Sequence, residues 1–320
     1  MDGTRIIGNN ISAIQRIEKR SYDIFRDQNG ESVFIRGKII GKGGEAEVYE
    51  YRSDKVAKLF KTYDPEREQK LKFLLQLVDL DQAFCLPERL LYDNSNRIAG
   101  YIMSKREGYI LGESVFLPEN FSSTFPNWTR IELTILALRC LEAIDNLHGF
   151  NILVGDMNAS NIIVESPGKV SFIDVDSYQI GPYRCKVGTL SSFTSPRLQG
   201  ADFQTEPRTI EDEFFAAATL VFMIFLLGKS PYSNQGGNIG DNIRKRLFDY
   251  PLNDNEINDL ARNNLWGRIW KLLPGDIRYA FYKVFREGDK IGYKEWRRLL
   301  RRYLSDLESN RYSRVIFPKH

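Results

Sequence analysis

The chain has 320 residues and a mass of 37.1 kDa, enough for two domains or one large bilobal one. With 42% hydrophobic and 27% charged residues it is neither disordered nor low in complexity, and a net charge of +3 is too small to imply nucleic-acid binding by itself. Three widely spaced cysteines (Cys85, Cys140 and Cys185) fit neither a disulfide framework nor a zinc pattern and suit a reducing cytosol. With only two histidines, a Ser-His-Asp triad is nearly excluded, so any chemistry must rest on carboxylates, lysine and backbone.

Residues 1–30 read as a polar extension without the apolar run of a signal peptide. From 33 to 102 the texture is strand-like, in the runs VFIRGKII, EVYEY, KVAKLF and IAGYIM. One helical segment interrupts it at 65–80, where Leu71, Leu74, Leu75 and Val78 recur at helical spacing, Pro65 suits the first turn and Asp64 the cap. Residues 104–114 read as a linker. Helices are expected at 129–148, 213–227, 278–286 and 293–307, with a β-rich island at 151–180 and surface loops at 199–209 and 233–241. The most apolar run, FFAAATLVFMIFLLG at 214–228, is shorter than the roughly 20 residues a membrane span needs. It reads as a buried central helix of a soluble, cytoplasmic protein. A small β-rich lobe followed by a larger helical one predicts an α+β, bilobal fold: extension 1–30, first lobe 31–103, hinge and second lobe 104–308, tail 309–320.

Two stretches carry chemistry. Ile40-Gly41-Lys42-Gly43-Gly44-Glu45-Ala46-Glu47-Val48 places glycines between two strands, where a hairpin can fold flat over phosphates and offer backbone N–H groups. One strand later, Val56-Ala57-Lys58 ends on an inward lysine that needs an anionic partner. An orienting carboxylate is expected on the next helix, from Glu68 or Glu66. Further on, VGDMNASNIIV (154–164) is followed by SFIDVD (171–176). Asp156, Asn161 and Asp174 interrupt β-branched runs that would bury more apolar surface without them. Asn161 and Asp174 offer hard oxygen ligands suited to magnesium held with phosphates, and Asp156 can orient a hydroxyl nucleophile.

In this order and near these intervals, the set resembles a protein kinase over about residues 34–304. More narrowly, GKGGEAEVY, GDMNASNIIV, FIDVDSYQI and YRCKVGTLSSFTSPRLQG resemble bacterial eukaryotic-like Ser/Thr kinases of tellurium-resistance and stress-response systems. Those kinases often stand beside a phosphatase and a von Willebrand-type protein. The resemblance implies transfer from ATP, with Mg²⁺ or alternatively Mn²⁺, to Ser/Thr hydroxyls of protein substrates; neither a membrane nor a nucleic acid is expected as partner. Lys58 would contact the α/β-phosphates and pair with Glu68, Asp156 would be the catalytic base with Asn158 beside it, and Asn161 and Asp174 would hold the metal. Gly41, Lys42, Gly43 and Gly44 would cover the phosphates. Val48, Ala57 and Ile163 would sandwich the adenine, with Met103 behind it and Ser104 to Arg106 as the hinge. Asp212 would brace the catalytic-loop backbone, and Thr189 would hydrogen-bond Asp156.

The departures from the family pattern are specific. Ala46 replaces the third loop glycine. Gly155 replaces the arginine that reads a phosphorylated activation loop, so the loop at 177–195 is expected to order without phosphate. Asn158 stands where a lysine is usual, and Asp174-Val175-Asp176 where Asp-Phe-Gly is usual. Ser195-Pro196-Arg197 replaces Ala-Pro-Glu, so Arg197 would repel Lys290 unless Asp289 intervenes. Arg297, Arg298, Arg301 and Arg302 read as a solvated basic stripe, and His148 as a helix C-terminal cap. The alternatives are a small-molecule phosphotransferase of the aminoglycoside or choline kinase type and a pseudokinase binding module. A Pro196 loop followed by a braced apolar helix argues against the first.

Overall fold

The computed structural model describes residues 23–77, 79–188 and 191–318. The chain divides into two compact units, residues up to 78 with 86–105, and 79–85 with 106 onward. The α+β expectation holds: the first unit is mainly sheet and the second mainly helix. The division falls after Lys105, whereas the sequence reading puts it after Met103, and most of the expected 1–30 extension, together with Thr189, lies outside the described residues.

The first unit is a seven-stranded antiparallel sheet in the order β2-β1-β6-β7-β5-β4-β3. Its strands are β1 (Asp23–Asp27), β2 (Ser32–Ile35), β3 (Ile39–Lys42), β4 (Ala46–Arg52), β5 (Lys55–Phe60), β6 (Arg89–Tyr92) and β7 (Ile98–Ser104), and its helix is α1 (Pro65–Leu74). Strand β1 falls inside the stretch read as an extension. Its sequence, DIFRD, is too polar to announce a strand, and a buried carboxylate fixes it in place. Asp27 accepts the backbone N–H groups of Asn29 and Glu31, closing the turn to β2, and Arg89 of β6 donates to it at 2.5 and 3.0 Å. Burial opposes the Asp27 charge, yet the Arg89 and turn hydrogen bonds outweigh it and hold the carboxyl below its usual range. Helix α1 starts as expected, with Asp64 accepting Glu66 N–H at 2.9 Å, but ends at Leu74, short of the expected Leu80.

The second unit opens with β8 (Tyr109–Ile110), α2 (Pro118–Thr124) and α3 (Arg130–Gly149). Thr129 and Glu132 start α3 with a reciprocal capping box. The β-rich island forms β9 (Ile152–Leu153), β10 (Ile162–Ser166), β11 (Lys169–Phe172) and β12 (Gln179–Ile180), arranged as the antiparallel sets β11-β10-β8 and β12-β9. Helix α4 (Ile210–Phe225) is the apolar run, starting three residues before the expected position, and nearly all of it is buried. Its Phe222 ring meets the rings of Phe248, Tyr250, Trp270, Phe281 and Phe285 at 5.1–6.2 Å. The remaining helices are α5 (Ile239–Arg244), α6 (Asp254–Asn263), α7 (Leu265–Lys271), α8 (Gly275–Tyr282) and α9 (Tyr293–Glu308); Trp270 lies on α7, Phe281 on α8, and Phe248, Tyr250 and Phe285 on the connections. Among the described residues, no helix is long and apolar enough to cross a membrane.

The basic stripe on α9 is neutralised locally. Arg297 pairs with Asp145, Arg298 with Glu295, Arg301 with Glu142 and Arg302 with Asp276. The stretch after α9 folds back on this unit, with Arg314 donating to the Leu307 and Glu308 carbonyls and Phe317 meeting the Phe121 ring.

Candidate active site

In the first unit the glycine run forms the expected hairpin between β3 and β4, with Gly41 opposite Val48 and Lys42 opposite Glu47. The Gly43 N–H donates to the Ala46 carbonyl at 2.9 Å, and Lys61 donates to the Gly43 carbonyl at 2.7 Å. Nothing in the protein's own packing requires glycine here. A Cβ on Gly44 would meet no atom within 4 Å, and on Gly41 or Gly43 it would make ordinary contacts at 3.6 Å. The tip is therefore bare backbone facing open space. Arg67 of α1 supports it from behind: 8% exposed and stacked 4.4 Å over Phe60, it donates to Glu45 of the hairpin at 2.5 Å.

Cross-strand register assigns the faces. Val48, Lys58 and Tyr101 are direct neighbours on one face, and the Val56–Met103 pair lies on that same face. Lys58 is 8% exposed, with its ammonium 6.0 Å from the Phe60 and Tyr101 ring centres. Ala57 does not share this face. It sits in the apolar cluster with Val33, Ile35, Leu91 and Ile102 on the opposite side of the sheet. The adenine role expected for Ala57 is thereby corrected, since a strand's period of two turns its side chain away from Lys58 and offers Val56 instead. Ser104 lies one residue beyond Met103 and is bonded to Glu88 and Lys55. Glu68, buried on α1, pairs with Lys72 at 2.7 Å and accepts from Tyr63 at 3.2 Å, while Glu66 is half-buried beside the cap.

In the second unit the expected Asp156, Asn158 and Asn161 lie between β9 and β10, and Asp174 follows β11. Asp156 follows β9 and is 8% exposed. Asn158 caps the turn Ala159–Asn161, accepting from Ser160 N–H at 2.9 Å, which leads into β10. The Ile173 N–H donates to the Asn161 carbonyl at 2.9 Å, continuing the Ile162–Phe172 register, so Asn161 lies opposite Ile173, the residue before Asp174. Asp174 is held in the left-handed region at φ 70°, and Ser177 donates to its carbonyl. Aspartate, with its short polar side chain, is among the non-glycine residues that enter this region most readily. Ile163 lies on β10 opposite Ser171 and Ile110. Arg106 donates to Cys85 Sγ at 3.3 Å and to the Gln82 carbonyl at 3.1 Å.

The brace on the catalytic loop is Glu213, not Asp212. Glu213 is 1% exposed, and its carboxylate accepts the N–H groups of Val154 (3.1 Å) and Gly155 (2.5 Å) and lies 2.7 Å from His148 Nε2. Asp212 is committed elsewhere. It closes the capping box with Thr209 and accepts from Ser195 Oγ at 2.5 Å and Arg197 at 2.5 Å. Thr209-x-x-Asp212 was legible as a capping box, and it would have left Glu213 as the buried carboxylate with no other task. His148 likewise serves Glu213 rather than capping its helix.

Arg197 is not repelled. Besides Asp212 it pairs with Glu206 and donates to the Pro207 carbonyl at 3.2 Å. Lys290 lies 3.9 Å from Glu211, and Asp289 pairs with Lys283 at 2.9 Å, so neither has the role expected for it. Arg197 thus pairs with a carboxylate at the start of α4, not with the late-helical position expected to face it. Burial opposes the Asp212 charge, but Arg197, Ser195 and the Thr209 N–H together hold its carboxyl below the usual range.

No family model matches the chain. It is 29% identical over 269 residues to "Protein kinase YegI" of Escherichia coli O157:H7, covering 79% of this chain and 41% of the relative. It is 28% identical over 269 residues, with the same coverage, to "Protein kinase YegI" of Escherichia coli strain K12. The chain thus spans about two fifths of the length of the curated relatives it matches. With the α+β fold and the ordered set of hairpin, lysine, loop aspartate and metal-type aspartate, this similarity supports a protein kinase family.

Proposed function

We propose that the chain is a protein kinase that transfers the γ-phosphate of ATP, with Mg²⁺, to Ser/Thr hydroxyls. The observation that carries this reading is that, in the second unit, Asn161 is hydrogen-bonded across to Ile173, the residue before Asp174, with Asn161 and Asp174 five and eighteen residues beyond the buried Asp156. One amide oxygen and one carboxylate make a hard, incomplete donor set, which fits Mg²⁺ that shares its remaining ligands with phosphate and water. The hairpin tip fits the same reading, because its lack of Cβ atoms serves no internal contact and leaves backbone free to approach an anion closely. Bound Mg²⁺ would neutralise charge on the phosphates.

In this reading Asp156 takes the proton of the attacking hydroxyl and orients it. Lys58 holds the α/β-phosphates, and Val48, Val56 and Met103 offer the adenine an apolar face. Glu213 fixes the backbone from which Asp156 projects. The Ser195-Pro196 turn leading to α4 favours a protein substrate over a small molecule, and association with a phosphatase or von Willebrand-type protein belongs to the same proposal. The test is Asp174→Ala. Phosphoryl transfer from labelled ATP should fall at least about a thousandfold (about 4 kcal/mol) with the Tm nearly unchanged. Undiminished transfer in this variant would refute the reading.

A further inference from the structure

Gly155 leaves the catalytic loop without the arginine that would read a loop phosphate, and the structure shows what occupies that space. A Cβ on Gly155 would lie 2.4 Å from Cys185 Cβ, 2.7 Å from its Sγ and 3.7 Å from Arg208 Cδ. The segment after Asp174 therefore lies directly against the catalytic loop. Arg208, from outside that segment, holds it there. The residue is 7% exposed, and its guanidinium stacks 3.9 Å over the Phe203 ring and donates to the carbonyls of Cys185 (2.6 Å) and Val187 (2.5 Å). A Cβ on Gly188 would meet Phe203 at 2.3 Å and Arg208 Nη2 at 3.0 Å, so close approach extends along the segment. The backbone of Arg208 is itself fixed. Its N–H and carbonyl exchange two hydrogen bonds with the side-chain amide of Gln179, on β12, which pairs with the β9 strand that leads to Asp156.

We propose that Arg208 is the positioning residue that holds this segment in its working place without a phosphate. The usual arrangement supplies a cation on the catalytic loop and an anion on the segment. Here the cation lies behind the segment, and its acceptors are two main-chain carbonyls, present whether or not any hydroxyl is modified. A planar fork reaches both carbonyls at once, which a lysine ammonium cannot do in the same geometry. The neighbouring arginines are already engaged: Arg184 donates to the Gln204 carbonyl and Arg197 to Asp212. This inference rests on the kinase reading above for its catalytic consequence, but not for the clamp itself.

The experiment uses the full chain, dephosphorylated and verified by mass spectrometry, in three forms: wild type, Arg208→Ala and Arg208→Lys. Trypsin can cut after Arg184 and Lys186, on either side of Cys185. Without nucleotide, cleavage there should be at least about tenfold faster in Arg208→Ala than in wild type, with the lysine variant between them. In the same samples, kcat should fall at least about tenfold in Arg208→Ala while KM for ATP stays within about twofold, and Arg208→Lys should recover part of kcat. Unchanged cleavage overturns the clamp, and faster cleavage with unchanged kcat overturns the positioning role. If the alanine variant does not fold, the lysine variant decides by the same two readouts. A dephosphorylated wild type that gains activity only after prior incubation with ATP overturns the phosphate-free positioning. One that transfers no phosphate before or after that incubation refutes the kinase reading instead, and the clamp then stands or falls on cleavage alone.

Discussion

The hairpin tip of the first unit and the catalytic loop of the second both rest on glycine, for opposite reasons. At Gly44 a side chain would meet nothing, so the residue is small toward the outside. At Gly155 the backbone has φ +75° and a side chain would collide with Cys185, so the residue is small toward the inside. The first leaves its backbone open to the outside, and the second leaves room for another part of the protein. In a sequence the two kinds of glycine look alike. Only the neighbours distinguish a binding surface from a packing contact.

Substitutions should separate the two regions. Gly155→Ala combines a left-handed backbone with a direct clash, and should cost at least about 3 kcal/mol in urea unfolding together with most of the transfer activity. A wild-type Tm in that variant would mean that the segment is not held against the loop. Next in size is Glu213→Gln, which keeps the shape but gives up the charge that two backbone N–H groups and His148 share. It should lower stability by about 2 kcal/mol and kcat more than KM.

Acid should act on the closed region through Asp212. Its folded-state pKa lies below the unfolded value of about 4, so its stabilisation is complete above that value and is lost as pH falls through the folded pKa. Stability measured from pH 6 to 3 should therefore decline less steeply in Asp212→Asn than in wild type, from a lower starting point. An identical slope would show that Asp212 contributes nothing to the acid response. The smallest effect belongs to the open region. Gly44→Ala should leave stability within about 0.5 kcal/mol, since it touches nothing, while weakening ATP binding about threefold in a calorimetric titration. A stability loss there with intact ATP binding would reverse the contrast.

Much of this was readable in advance, where local chemistry suffices. Helix α3 could be read from its periodicity and its Thr129 cap, α4 from an apolar run opening on three acids, and the hairpin and the Asp156, Asn161 and Asp174 positions from polar residues set in β-branched runs. Other features were legible and missed. The period of two that turns Ala57 from Lys58 is in the sequence, as is the capping box that occupies Asp212. A third class could not be read at all. Strand β1 depends on Asp27 meeting Arg89, 62 residues away, and Arg208 gains its role from carbonyls 21 and 23 residues earlier.

The sequence by itself determined elements such as α3, α4 and the β3–β4 hairpin, and which residue types are available for phosphate and metal, because propensity, periodicity and capping act within a few residues. Only the tertiary structure decided which backbone groups Glu213 accepts, which cation holds the segment, and which glycines are closed. Those outcomes turn on where a buried charge finds its hydrogen-bond partners and where two backbones come too close for a Cβ. Both conditions arise between residues distant in sequence, and no local pattern encodes them.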